Sequence, residues 1–185
     1  MITKIYDNLV LREPNISDKQ KLIEFKNEFL NLNEQIYGGS GLEKYDYEQW
    51  LNKIAIYNNK NTCPSGRVPA TQLITERLSD NKIIGVVNIR HYLEGNIALF
   101  IGHIGYSIAP SERGKGYAIK QLNLALEYCK SMGINKVLVC CNVNNIPSEK
   151  TIIKCGGKFD KVVEFENEKY NRYFICTNNI WTKLF

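Results

Sequence analysis

A chain of 185 residues, 44% hydrophobic and 23% charged, has ordinary globular composition and length enough for one core. No apolar run approaches the roughly 20 residues of a membrane helix, and the opening MITKIYDNLVLREP lacks an apolar stretch followed by a small-residue cleavage site, so a cytoplasmic protein with no membrane partner is expected. The net charge of +5 is local: nine Lys or Arg stand against four acids between Ser111 and Lys161, while the rest of the chain balances at fifteen of each. That excess is either a solvated lysine-bearing face or an attraction for a polyanion. Its cations are not interleaved with stacking aromatics, so nucleic acid is not an expected partner. Six cysteines (63, 129, 140, 141, 155, 176) form no CxxC pair and only two histidines accompany them. Reduced, mostly buried thiols are expected, and no metal site.

Leu9 to Arg12 reads as a short first strand. In ISDKQKLIEFKNEFLNLN, residues 16–33, Ser17 and Gln20 have capping-box spacing, and Leu22, Ile23, Phe25, Phe29 and Leu30 recur at helical intervals. The glycines of YGGSG, residues 37–41, break this helix. A second covers Tyr47 to Tyr57 with Trp50, Leu51 and Ile54 inward, and NNKNTCPSGRVP, residues 58–69, is a loop. Ala70–Arg77, the turn SDNK and Ile83–His91 form a hairpin. After the turn LEGN, Ile97 to Ile108 supplies a further strand, interrupted near Gly102. Ala118, Leu122, Ala125, Cys129 and Met132 then mark one face of a helix that Gly133 ends. Lys136–Cys141 is a continuous β run of the central parallel type. NNIPSEKTIIKCGG is a short helix with Pro147 in its first turn, and two strands, near Lys158–Phe165 and Tyr170–Thr177, close the chain. Helices and an antiparallel meander followed by βαβαββ imply one mixed α/β sheet in a single domain.

Between strand and helix lies SERGKGYA, residues 111–118, a glycine-rich turn suited to phosphate. A P-loop needs Gly at 109 and Ser or Thr at 116, where Ala109 and Gly116 stand. A dinucleotide fingerprint needs a third Gly at 119, where Ile119 stands. The spacing that fits is Arg/Gln-x-x-Gly-x-Gly/Ala, met by Arg113, Gly116 and Ala118. It resembles the coenzyme A pyrophosphate loop of the GNAT N-acetyltransferase superfamily. CNVNNIPSEKTIIKCGGKF resembles that family's next strand and helix, and GHIGYSIAPSERGKGYA with NIRHYL is similar to a bacterial subgroup known as predicted acetyltransferases.

The resemblance implies a mixed, mostly antiparallel sheet of about six to seven strands, helices on both faces and a splayed central parallel pair. It divides residues 1–185 into variable acceptor-side helices (1–69), a cofactor-binding core (70–165) and a closing strand (166–185). It implies acetyl-CoA as cosubstrate, bound by Arg113, Gly114, Lys115, Gly116, Tyr117 and Ala118 at the pyrophosphate. Asn145 and Ser148 would meet the pantetheine arm, with the backbone of Ser107 and Ile108. The acceptor is then a primary amine of a small molecule or peptide, and dimers are common in the family. The alternative is a non-catalytic acyl-CoA-binding regulatory module.

Direct transfer needs a neutral amine and a protonated leaving thiolate. The family's usual proton donor, seven residues beyond Asn145, is replaced by Ile152, which has no proton to give. Tyr106, Tyr117 and Tyr173 are the phenols left to consider. His103 is the expected base, with His91 and Glu94 as alternatives, and Arg90 or Asn88 would orient the acceptor. The aromatics of the first 60 residues are expected in the core or a lid rather than around a substrate.

Overall fold

A computed structural model describes residues 4–179. In chain order they form β1 (Lys4–Tyr6), β2 (Leu9–Arg12), α1 (Lys19–Leu30), α2 (Tyr47–Asn58), β3 (Ala70–Arg77), β4 (Lys82–Arg90), a π-helical turn (Ile97–Ile101) and β5 (Ile104–Ile108). Then come α3 (Tyr117–Ser131), β6 (Lys136–Asn142), α4 (Ile146–Lys154), β7 (Lys158–Phe165) and β8 (Glu168–Cys176). The fold is the expected mixed, mostly antiparallel α/β arrangement. Its strands are eight among the described residues and fall into two sheets, β1-β2-β3-β4-β5 and β6-β8-β7, rather than one of six to seven. Every ladder is antiparallel, and an isolated bridge between Gly102 and Val139 joins the sheets. The division falls where β5 and β6 part.

β3 and β4 are buried on both faces, and their alternation sorts two cores. Leu73, Val87 and Ile89 join Leu122, Ala125 and Leu126 of α3, Val137 and Val139 of β6 and Ile152 of α4. Ile74 and Val86 on the opposite face pack with Leu22, Phe25 and Phe29 of α1 and Trp50 of α2. The short strands at the chain start contribute Leu9 and Leu11 to the first core, so they belong with the sheet and not with the helices that follow.

Three expectations change. The capping box is Asn15 with Asp18, not Ser17 with Gln20: Asn15 Oδ1 accepts from Ser17 N–H at 2.9 Å, and Asp18 accepts the Asn15 N–H while its other contacts go to Arg12. On α1, Leu30 is exposed. The strand expected from Ile97 is replaced over residues 97–101 by the π-turn. Arg172 Nη1 donates to the carbonyls of Ala98 and Leu99, and Phe100 stacks on Phe165 at 4.0 Å. Of the cysteines, Cys129 and Cys141 are buried and Cys176 is exposed; all six are free thiols. No helix among the described residues is long and apolar enough to cross a membrane.

Candidate active site

The loop and the start of α3 follow from glycine geometry. Gly114 and Gly116 have φ of 76° and 81°, and Gly116 is the N-cap of α3. A side chain there would meet no neighbour, so the left-handed backbone, not crowding, requires glycine. Unlike at the Asn15 and Asn145 caps, no side chain among the described residues covers the N-terminus of α3. Its first-turn N–H groups therefore remain open donors at the positive end of a 15-residue helix.

Two cations of this segment meet acids brought from elsewhere, Arg113 with Glu34 and Lys120 with Asp7, while Lys115 pairs within the loop with Glu112. Arg113 is paired with Glu34, a residue 79 positions away, at 2.5 Å and 3.0 Å. Buried Glu112 sits beneath the loop and accepts from Lys115 at 3.0 Å, Lys82 at 3.0 Å and Arg77 at 2.8 Å. Burial works to raise its carboxyl, but the bonds from Arg77, Lys115 and Lys82 outweigh it and hold the group at about 2. Arg77 also donates to the Tyr117 hydroxyl. Ala118 lies in the first turn, half-buried. The loop's open anion donors are thus backbone amides; Arg113 lies in an exposed pair that exchanges partners at little cost, whereas half-exposed Lys115 shares buried Glu112 with Arg77 and Lys82.

The gap between β5 and β6 is framed by side chains from three elements. Ala109 N–H bonds to Ile84 O. Alternation along the antiparallel ladder then turns the amides of Ser107 and Gly105 toward β4, and those of Ile108 and Tyr106 toward β6. The Ile108 amide thus faces the gap, whereas Ser107 does not offer its amide there, and its hydroxyl donates to Tyr37 O. Asn145 Oδ1 caps α4 by accepting Ser148 N–H at 3.1 Å, which leaves its Nδ2 without a partner among the described residues. Ser148 Oγ lies 3.1 Å from the Tyr106 hydroxyl. Burial pushes that phenol up to about 12, more than the Ser148 bond lowers it. Ile152 is fully buried in the core, so its position on α4 does not face the gap. Of the other phenols, Tyr117 partners Arg77 and Tyr173 donates to Glu149. Sequence spacing placed none of the three, and the fold sets Tyr106 beside Ser148.

His103 is stitched to both sheets at the closed end of the gap. Its carbonyl accepts Arg90 N–H, its N–H donates to Leu138 O, and its Nδ1 accepts Leu138 N–H at 2.9 Å. With Nδ1 so engaged, the ring proton is assigned to Nε2, and no lone pair is free to take a proton from an amine. Burial, with a smaller contribution from Arg90, lowers the ring to about 4. This corrects the expectation of a base: His103 joins the two sheets. The alternatives fare no better, as His91 contacts Thr71 Oγ1 and Glu94 is exposed on the turn before the π-helix.

On the other side of β5 lies a cavity of about 450 Å³, bordered by the 38–40 loop, α2, β4 and the π-turn, with Lys53, Arg67, Asn88 and Arg90 among its walls. Asn88 is opposite Gly105 in the ladder, so the cavity abuts the strand that edges the gap. Most early aromatics are core, as expected, but Tyr45 and Tyr57 face this cavity.

Among known proteins, the family model described as "Acetyltransferase (GNAT) domain" matches residues 8–158. The "Uncharacterized N-acetyltransferase YnaD" of Bacillus subtilis (strain 168) is 33% identical over 76 residues, covering 38% of this chain and 45% of that protein; the match thus spans under half of the relative's length. The structure of ribosomal-protein-S5-alanine acetyltransferase from Vibrio fischeri is 16% identical with a TM-score of 0.70, over 97% of this chain and 99% of that one. That of the microcin C7 self-immunity acetyltransferase MccE, in complex with acetyl-CoA and AMP, is 20% identical with a TM-score of 0.65, over 92% and 93%. At such identities these two likenesses are of fold.

Proposed function

Since the chain belongs to the GNAT acetyltransferase domain family, we propose that it is an acyltransferase that moves the acetyl group of acetyl-CoA directly to a primary amine of a small molecule or peptide. The observation that carries this reading is the uncapped, glycine-opened N-terminus of α3 beside a gap between two sheets. The amides from Gly114 to Ala118 would bind the pyrophosphate, with Arg113 and Lys115 leaving their carboxylates to join it. Asn145 Nδ2 and the Ile108 amide would hold the pantetheine arm along the gap, with Ser148 next to them.

In this reading the amine nitrogen attacks the thioester carbon, a C–N bond forms and the C–S bond breaks. The outward-turned β5 amides meet the developing oxyanion. Tyr106, neutral at physiological pH, gives its proton to the departing thiolate through the position it shares with Ser148. The amine's proton leaves to solvent, because His103 has no free lone pair. The phenol at the gap favours catalysis over the non-catalytic acyl-CoA module. Residues 13–69 would shape the acceptor side, 70–165 the cofactor side and Glu168–Cys176 the closing strand; residues 180–185 of the expected closing segment lie outside the described residues. Six free thiols suit a reducing cytoplasm.

Calorimetric titration with acetyl-CoA, followed by thiol release over a panel of amines, tests the reading. Micromolar binding with amine-dependent thiol release supports it. Absence of binding would refute it, and binding without turnover of any amine would return the chain to the regulatory alternative.

A further inference from the structure

The charges that line the cavity beside β5 are all positive. Lys53, Arg67 and Arg90 line it, and no carboxylate does, among the described residues. Elsewhere near the site, cations are matched: Arg113 by Glu34, Lys115 and Lys82 by Glu112, Arg77 by Asp80 and Glu112. These three are not. Lys53 Nζ donates to Ser40 O and lies 4.5 Å from the Tyr45 ring centroid. Among the described residues, Arg67 stands on an exposed loop with no acceptor, and Arg90 makes one side-chain bond, from Nη1 to Gly102 O at 3.1 Å. The other Arg90 N–H groups are neither satisfied by protein nor sealed from the cavity. Burial lowers this guanidinium to about 10, as expected of a cation short of a counter-charge. A buried cation without an anionic partner is costly, and an incoming anion removes that cost.

We propose that the acceptor is an amine bearing an anionic oxygen group, a carboxylate or a phosphate, that Arg90, Lys53 and Arg67 hold against β5. The proposal rests on the acetyl-transfer reading and names its substrate class. Asn88, beside Arg90 on the same face of β4, supplies a further polar contact to the bound molecule. The cavity volume suits a small metabolite or a peptide end. The same charges repel a polycation, so polyamines are poor acceptors here. They also favour loss of the acceptor's ammonium proton to water, because a like charge nearby destabilises the protonated amine. The cavity thus supplies part of what a base would do.

The test uses four amines that differ only at the far end: 3-aminopropanoate, 3-aminopropyl phosphate, propylamine and 1,3-diaminopropane. Each is titrated calorimetrically into the full chain, alone and with coenzyme A, and each is assayed for thiol release. One or both anionic amines bind about tenfold or more tighter than propylamine, with the diamine weakest; their order separates carboxylate from phosphate. Arg90→Gln removes most of that preference. Arg67→Gln, on an exposed loop where folding is spared, and Lys53→Met each weaken it about threefold to tenfold, while acetyl-CoA affinity stays unchanged. Equal binding of propylamine and the anionic amines, or a preference that survives all three substitutions, overturns the proposal. Acetyl-CoA binding without anion preference sinks this inference alone. Anion preference without acetyl-CoA binding leaves the anion-binding cavity standing but sinks the acetyl-transfer reading, and with it the role of that ligand as acceptor.

Discussion

Substituting His103 by Asn separates a structural pin from a chemical base. The ring is buried to 7% exposure, and its Nδ1 accepts the Leu138 amide that ties β6 to the start of β5. In the folded chain the ring titrates at about 4 instead of 6.5. The unfolded chain takes up that proton near 6.5, so the folded state is at full strength above that pH and weakens on acidification until the pH reaches about 4. Linkage gives about 2 kcal/mol lost at pH 5 and about 3 kcal/mol at pH 4, a large fraction of a domain's stability. Asn offers an amide oxygen in place of Nδ1 and does not titrate. Urea unfolding of wild type and His103→Asn at pH 7.5, 6 and 5 should show the wild type losing about 2 kcal/mol more than the variant. His91, also lowered by burial, is common to both proteins and cancels. Glu112, held at about 2, contributes stability that is lost only as pH falls below the ordinary carboxylate range, outside this window. Turnover per folded molecule should stay within about threefold, whereas loss of a general base costs about a hundredfold or more. Equal pH slopes for the two proteins, or a hundredfold loss of turnover with unchanged stability, would refute the argument.

Gly116→Glu forces a side chain onto φ 81° and sets a carboxylate where the pyrophosphate would lie, so acetyl-CoA affinity should fall by about a hundredfold or more in calorimetry. Lys115→Ala should lower it by less than about tenfold, because backbone amides make the proposed site and Lys115 is already paired with Glu112. Tyr106→Phe should reduce kcat by about a hundredfold with acetyl-CoA affinity nearly unchanged; an undiminished kcat would leave thiolate protonation to solvent. Ile152→Tyr, which restores the family's usual phenol by sequence, should give no gain in kcat and cost about 1–3 kcal/mol in urea unfolding, since Ile152 is fully buried against Gly157.

SERGKGYA was legible from the chain alone because its properties are local. Positive φ at Gly114 and Gly116, the start of α3 and the outward N–H groups of its first turn depend on neighbours within a few residues. The apolar spacing of α3 was equally local, with Leu122, Ala125 and Cys129 all fully buried. IALFI was not legible, because a continuous apolar run has no period to separate strand from helix. Its π-turn is held by Arg172, more than 70 positions away, and by the stacking of Phe100 on Phe165. Sequence counted the cations around the loop; the fold decided that Glu34 would pair with Arg113, that Glu112 would take Lys115 together with Arg77 and Lys82, and that Lys53, Arg67 and Arg90 would be left facing one cavity. His103 looked like a base because its ordinary pKa suits one, but a lone pair serves only one partner, and the Leu138 amide, 35 residues on, already holds it. Which residues start helices and fill cores follows from short-range periodicity. Which charges and lone pairs remain free depends on distances of a few ångströms between residues far apart in sequence, and tertiary packing alone sets those.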